Sequence, residues 1–127
     1  MEKKIIKSSD APAAVGPYSQ AIEAGGFVFC SGQIPIDPKT GEMVSSNTAA
    51  ATETVISNLK AVLAAAGLGL ENVVKTTVFL SDINDFGAMN EVYAKHFSDN
   101  PPARACVQAA RLPKGSLVEI EAIAYKG

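Results

Sequence analysis

The 127-residue chain has no tryptophan, a single histidine, two cysteines and almost no excess of either charge. Each scarcity excludes a class of function. One histidine, His96, leaves no cluster with metal-ligand spacing, so no metal site is expected. Cys30 and Cys106 lie far apart in a chain without secretory signals, which predicts two reduced thiols rather than a disulfide. A net charge of -2, with 11 scattered Lys and Arg, provides no basic field for a nucleic-acid backbone, and nucleic acid is not an expected partner. No apolar run approaches the roughly 18 residues of a membrane span. The segment Met1 to Lys7 lacks the apolar stretch of a signal peptide, so a cytoplasmic protein without a membrane partner is expected.

What the chain does have is hydrophobic residues, at 47% of the total, enough to bury a core within a single domain over residues 1–127. Ile5 and Ile6 form a short first strand, followed by a loop punctuated by Pro12, Gly16 and Pro17. Ser19 to Glu23 and Phe27 to Ser31 flank Ala24-Gly25-Gly26, a tight hairpin in which glycine supplies positive φ. From Thr48 to Ala66 apolar residues recur at Ala51, Val55, Leu59, Val62, Leu63 and Ala66, the spacing of an amphipathic helix. Asn47 or Thr48 caps its start, and Gly67 suits the position just past its end. Val73 to Leu80 reads as a strand. A second helix, capped by Asn84 or Asp85, carries the stripe Phe86, Met89, Tyr93 and Phe97 and stops before Pro101-Pro102; His96 near its end reads as a surface residue favoured by the helix dipole. Two strands close the chain. The order predicts an α+β sandwich: a mixed, mainly antiparallel sheet with both helices on one face and the other face bare. A bare face of this size calls for an interface, and a ring of like subunits with ligand clefts between chains is expected.

The most telling residue is Arg104, set in the apolar strand Pro102-Ala103-Arg104-Ala105-Cys106-Val107-Gln108. Alternation puts Arg104, Cys106 and Gln108 on one side of that strand. The last strand, Leu117 to Ala124, carries Glu119 and Glu121 on one side. A charge desolvated at mid-strand needs a partner or a ligand. Two readings follow: an anion site facing a carboxylate, placed with Cys106 and Glu119 on the bare face, or a plain ion pair of Arg104 with Glu119 or Glu121. For Glu121 the expected use is a structural pair with Lys or Arg.

Five segments in order resemble the motifs of the YjgF-type Rid family, the reactive-intermediate enamine/imine deaminases. They are Ala11-Pro12-Ala13-Ala14-Val15-Gly16-Pro17-Tyr18-Ser19-Gln20, Ser31-Gly32-Gln33-Ile34-Pro35, Val74-Lys75-Thr76-Thr77-Val78-Phe79-Leu80, Pro102-Ala103-Arg104 and Val118-Glu119-Ile120-Glu121-Ala122. The resemblance implies a chorismate-mutase-like fold, a homotrimer with a barrel core and clefts between subunits, and hydrolysis of 2-imino acids of the 2-aminoacrylate/2-iminopropanoate type without metal or organic cofactor. It implies that Arg104 holds the substrate carboxylate and that Glu119 positions the attacking water. Gly32 and Ser31, Cys106, Tyr18 and Asn90 are expected to line the substrate pocket. Cys106 has a second possible use, as a nucleophile, if Arg104 stabilises its thiolate. Two other functions are compatible with the same motifs: a carboxylate-binding regulator without turnover, and an endoribonuclease or translation inhibitor.

Overall fold

The computed structural model describes residues 2–127. Among them are six strands and two α-helices: β1 (Lys4–Ile6), β2 (Ala21–Ala24), β3 (Phe27–Gln33), α1 (Thr48–Ala65), β4 (Val73–Leu80), α2 (Phe86–His96), β5 (Ala103–Gln108) and β6 (Val118–Tyr125). The strands form one sheet in the order β1-β2-β3-β6-β4-β5. Every neighbouring pair is antiparallel except β4 and β5, which run parallel. Parallel neighbours need a crossover, and α2 supplies it.

Local chemistry explains the element ends. In the β2–β3 hairpin Gly25 and Gly26 have φ of 59° and 83°, the paired left-handed conformation of a turn whose twist matches the strands. The Asn47 side chain accepts from the Ala50 N–H at 2.7 Å and so caps α1, rather than Thr48. At the other end Gly67, with φ of 77°, lets its N–H reach Ala64 O and that of Leu68 reach Leu63 O, both at 2.9 Å. These two bonds satisfy carbonyls that would otherwise end unpaired. The second helix departs from expectation. Neither Asn84 nor Asp85 caps α2 with its side chain; a 3-10 turn over Ile83–Asp85 leads into it, and Asp82 accepts from Asn84 N–H at 2.9 Å.

Both helices cover one face of the sheet. Val55, Ile56, Leu59, Val62 and Leu63 of α1 and Met89 of α2 are buried against Val28, Val78, Leu80, Val118, Ile120 and Ala124 of the strands. Asn58, buried in that apolar stripe, donates to Ile34 O and Ile36 O and ties the loop after β3 to α1. His96 pairs with Glu53 of α1, joining the two helices. Cys30 and Cys106 are free thiols, and burial raises the Cys30 pKa to about 11.

The opposite face is bare. Phe27, Phe29, Val107 and Tyr125 are exposed there, with Thr77, Phe79, Glu119 and Glu121 between them. Arg104 and Cys106 are not on it, contrary to expectation. They pair in register with Thr76 and Val78, whose side chains face the helices, and Cys106 packs against the core. The reason is topological. As β5 is an edge strand, its helix-side residues lie at the rim of the covered layer, where a long cation can rest on α2 and still reach water.

Candidate active site

Arg104 is exposed at the sheet edge, so it bears no mid-strand desolvation cost. Its Nη1 donates to Asn90 Oδ1 of α2 at 2.7 Å, and its guanidinium carbon lies 4.7 Å from the centre of the Tyr93 ring and 5.3 Å from that of Phe86. A guanidinium has five N–H donors, and the Asn90 bond leaves most of them directed outward, enough to grip a carboxylate in a two-pronged fork. Cys106 follows on the same strand side, half-buried. Burial pushes its thiol pKa up, and the Arg104 charge only partly offsets this. That direction disfavours a resting thiolate.

The acid lies elsewhere. Glu119 pairs in register with Phe79 on the bare face, opposite in direction to Arg104. Its side chain lies over Gly32, in the stretch of β3 where register slips between Cys30 and Gln33. A Cβ on Gly32 would come within 2.9 Å of the Glu119 carboxyl carbon, closer than real contacts allow, so the missing side chain at Gly32 makes room for the acid. Burial first, and then the neighbouring Glu121 charge, raise the Glu119 pKa above the ordinary carboxylate value. Glu121 forms no ion pair among the described residues, so the expected Lys or Arg partner is absent within the chain.

Glu119, Gly32, Ser31 and Tyr18 line one cleft of about 550 Å³, with Lys114 at its rim. Ser31 is turned away from solvent chemistry, since its hydroxyl donates to Ser19 O at 2.6 Å. This bond and the Ser31 N–H to Gln20 O bond of 2.9 Å hold β3 to the loop bearing Tyr18, which is exposed. Gln20 anchors the loop from the other side: its amide donates to Ser8 O and Pro12 O and accepts from Ser8 N–H. Gln20 was not singled out in the sequence, and neither were Lys114 and the buried bond between Thr76 and Tyr93. A tyrosine on an apolar stripe, facing a threonine inside an apolar strand face, is the signal that pointed to the last.

The expected site residues thus fall into two groups. Arg104, Asn90 and Cys106 share the α2 edge; Glu119, Gly32, Ser31 and Tyr18 share the cleft at β3 and β6. The pairing of Arg104 with Glu119 or Glu121 is not formed.

A family model described as Endoribonuclease L-PSP matches residues 8–126. The chain belongs to that family. This is the YjgF-type Rid family that its motifs resemble. It is 56% identical over 124 residues to a RutC family protein of Pyrococcus horikoshii, covering 98% of each chain. It is 51% identical over 125 residues to the 2-iminobutanoate/2-iminopropanoate deaminase of Rattus norvegicus, covering 98% of this chain and 91% of the rat protein. Among solved structures, E. coli TdcF with bound serine superposes with a TM-score of 0.93 at 46% identity, over 98% of this chain and 99% of TdcF. Names within the family thus span a deaminase, a ribonuclease and uncommitted members.

Proposed function

We propose that this Rid protein hydrolyses 2-imino acids of the 2-aminoacrylate/2-iminopropanoate type to 2-keto acids and ammonia, in clefts between the subunits of a homotrimer. One observation carries the reading: the Arg104 guanidinium, which we read as the carboxylate-binding fork, and the Glu119 carboxyl lie on opposite faces of one sheet. Neither can serve the other's ligand within a chain, whereas a head-to-tail ring brings the fork of one subunit to the acid of the next and covers the bare apolar face. The names of the mammalian relatives support the substrate class. A trimer is the smallest ring consistent with the family resemblance.

The chemistry follows from the substrate. A 2-imino acid places a carboxylate beside an electrophilic C=N carbon, and two N–H bonds from Arg104 orient it. Water adds to that carbon of the N-protonated imine while Glu119 takes one of the water protons, giving a neutral carbinolamine. Glu119, now protonated, returns the proton to the nitrogen. The C–N bond then breaks as the hydroxyl gives its proton to the Glu119 carboxylate; the proton passes on to the departing ammonia, and the keto acid and ammonium leave. Each step is an addition, a proton transfer or the expulsion of ammonia, and Glu119 takes or gives the proton that each requires. Burial and the Glu121 charge raise the Glu119 pKa above the ordinary carboxylate value, which makes the acid readier to give the proton back. Among the described residues no helix is long and apolar enough to cross a membrane.

The deciding experiment mixes the purified protein with a serine dehydratase and follows pyruvate and ammonia. Catalytic amounts should accelerate imine disappearance over the spontaneous rate. No acceleration, with pyruvate still bound, would instead make the protein a carboxylate-binding regulator; cleavage of RNA by the same preparation would favour the family's other name.

A further inference from the structure

Arg104 has four rotatable side-chain bonds and stands at an exposed edge, where a guanidinium would ordinarily sample many positions. Here its surroundings restrict it. The ring of Tyr93 lies beneath it, Phe86 flanks it, and Asn90 holds one nitrogen. The Tyr93 ring is itself fixed on two sides. Phe97 stacks on it at 4.5 Å with 29° between planes, and its hydroxyl shares a 2.7 Å bond with Thr76 Oγ1. Thr76 is fully buried and Tyr93 nearly so, at 0% and 5% exposure.

These contacts close on themselves. Thr76 is the register partner of Arg104 across the β4–β5 ladder, so the backbone that carries the guanidinium and the side chain that aligns its shelf are the same pair of residues. If Tyr93 served only as core filling, phenylalanine would fill its place, and valine would fill that of Thr76. The structure instead spends a buried polar pair at the one point where it aligns the ring. Such a pair is tolerated in an apolar setting only when both hydroxyls are satisfied, and each satisfies the other.

We propose that Tyr93 is a positioning residue for the carboxylate anchor: its ring, aligned by Thr76, holds the Arg104 guanidinium in the plane in which it binds the ligand. The inference rests on the reading of Arg104 as that anchor. A guanidinium held in place before the ligand arrives loses little freedom on binding, so the shelf acts on affinity rather than on the chemical step. Removing it raises KM and the pyruvate Kd together and leaves kcat nearly intact.

The test uses the assembled protein, with pyruvate as the binding probe and dehydratase-generated substrate for kinetics. Tyr93→Leu is expected to weaken pyruvate binding about tenfold, as befits a lost cation–aromatic contact in a partly desolvated place. Tyr93→Phe, which keeps the ring, is expected to recover affinity to within about threefold of the parent. Thr76→Val removes the alignment without touching the ring and is expected to cost about threefold, which keeps the test open should Tyr93→Leu fail to fold. A folded Tyr93→Leu or Thr76→Val protein with unchanged affinity overturns the proposal, as does a loss confined to kcat. Arg104→Lys separates the two levels. If it binds pyruvate as well as the parent, the anchor reading fails and the shelf with it; if it binds weakly while Tyr93→Leu does not, the shelf alone fails.

Discussion

The two halves of the candidate site are built on different principles. The Arg104 half is made of side chains: a flexible cation on an edge strand, steadied by an amide and two rings from α2. The Glu119 half is made of backbone space, with a carboxylate laid over a glycine in an irregular stretch of β3 and a loop pinned by Gln20 beside it. One half binds charge in contact with water; the other withdraws charge from it. That difference matches what hydrolysis of an imino acid demands, since the carboxylate must be gripped throughout while the base must be ready to give its proton back. It also means that substitutions in the two halves should fail differently, and that a single chain should fail altogether.

The largest effect is expected at Glu119. Glu119→Gln keeps size and hydrogen bonding but removes the base, so turnover should fall by roughly 10²- to 10⁴-fold. Pyruvate binding should persist, because the anchor is untouched. Equilibrium binding and steady-state turnover of one preparation check both statements, and a variant with parental turnover would remove Glu119 from the mechanism.

Next comes the anchor. Arg104→Lys keeps the charge and loses the fork, at a cost of about 2 to 3 kcal/mol, or roughly 30- to 150-fold in kcat/KM. Truncating the anchor altogether allows a test of whether the halves come from different subunits. Arg104→Ala and Glu119→Gln chains, each inactive alone, should on co-assembly recover about a quarter of the parental activity, since in a head-to-tail ring a random quarter of interfaces joins two intact halves. No recovery from demonstrably mixed rings would show that both halves act within one chain. Light scattering gives the frame for this: the assembled mass should be three times the 13.2 kDa chain, and a monomer would leave the halves apart.

Gly32 sharpens the backbone half. Gly32→Ala places a methyl group where the Glu119 side chain lies, so the carboxylate must shift while the fold has room to stand. A displacement on the order of 1 Å at a catalytic group costs up to about 100-fold, and the loss should fall on kcat with pyruvate affinity spared. The φ of Gly32 is unremarkable, so the expected defect comes from space and not from strain. Unchanged kcat would mean that the acid has no fixed place.

How these halves were legible in the sequence differs as well. The elements were readable because each had local chemistry to announce it: Asn47 and Gly67 at the ends of α1, Gly25-Gly26 in the hairpin, and β-branched runs in the strands. Alternation along β5 correctly grouped Arg104 with Cys106, and along β6 Glu119 with Glu121. It could not tell which side of β5 the helices would cover, because a period of two is silent on direction. Charge suggested the bare face for Arg104, and that was wrong. Strand order decides it, through β4, α2 and β5, and strand order is a property of long-range pairing that no local run of residues carries. For the same reason the capping chemistry of α2 was read only in part: Asp85 holds the N-cap position without a side-chain bond, while Asp82 acts on a 3-10 turn whose existence depends on how the chain leaves β4.

A smaller effect separates the electrostatics of the two halves. Glu119 is raised by burial and by Glu121, so the acid limb of kcat/KM should lie above the ordinary carboxylate value of 4.5. Activity falls as pH drops through that limb, because the base must be ionised to accept a proton. The sign for stability is opposite. The folded chain holds the Glu119 proton more tightly than the unfolded one, so stability should decline as pH rises from the ordinary value through the raised one. Glu121→Gln removes the second cause and should move the limb downward, whereas Arg104→Lys should leave it in place. A pH profile for each variant decides, and a limb indifferent to Glu121 would mean that burial alone sets it.

The smallest change is expected at Cys106, and it distinguishes the water mechanism from a covalent one. The thiol lies on the same strand side as the anchor, yet burial outweighs the Arg104 charge and favours its protonated form. It packs against the core on the side away from Glu119, the base of the proposed mechanism. Cys106→Ser should therefore stay within about threefold of the parent in kcat/KM, the scale of a modest packing change on the order of 0.5 kcal/mol. Mass spectrometry of protein quenched during turnover should show no adduct. A crippled serine variant together with a trapped thiol adduct would reverse the assignment: the Arg104 half would then carry both grip and chemistry, Glu119 would be left to activate water for the second step only, and Cys106→Ser with Glu119→Gln chains, each crippled alone, would recover about a quarter of the parental activity on co-assembly.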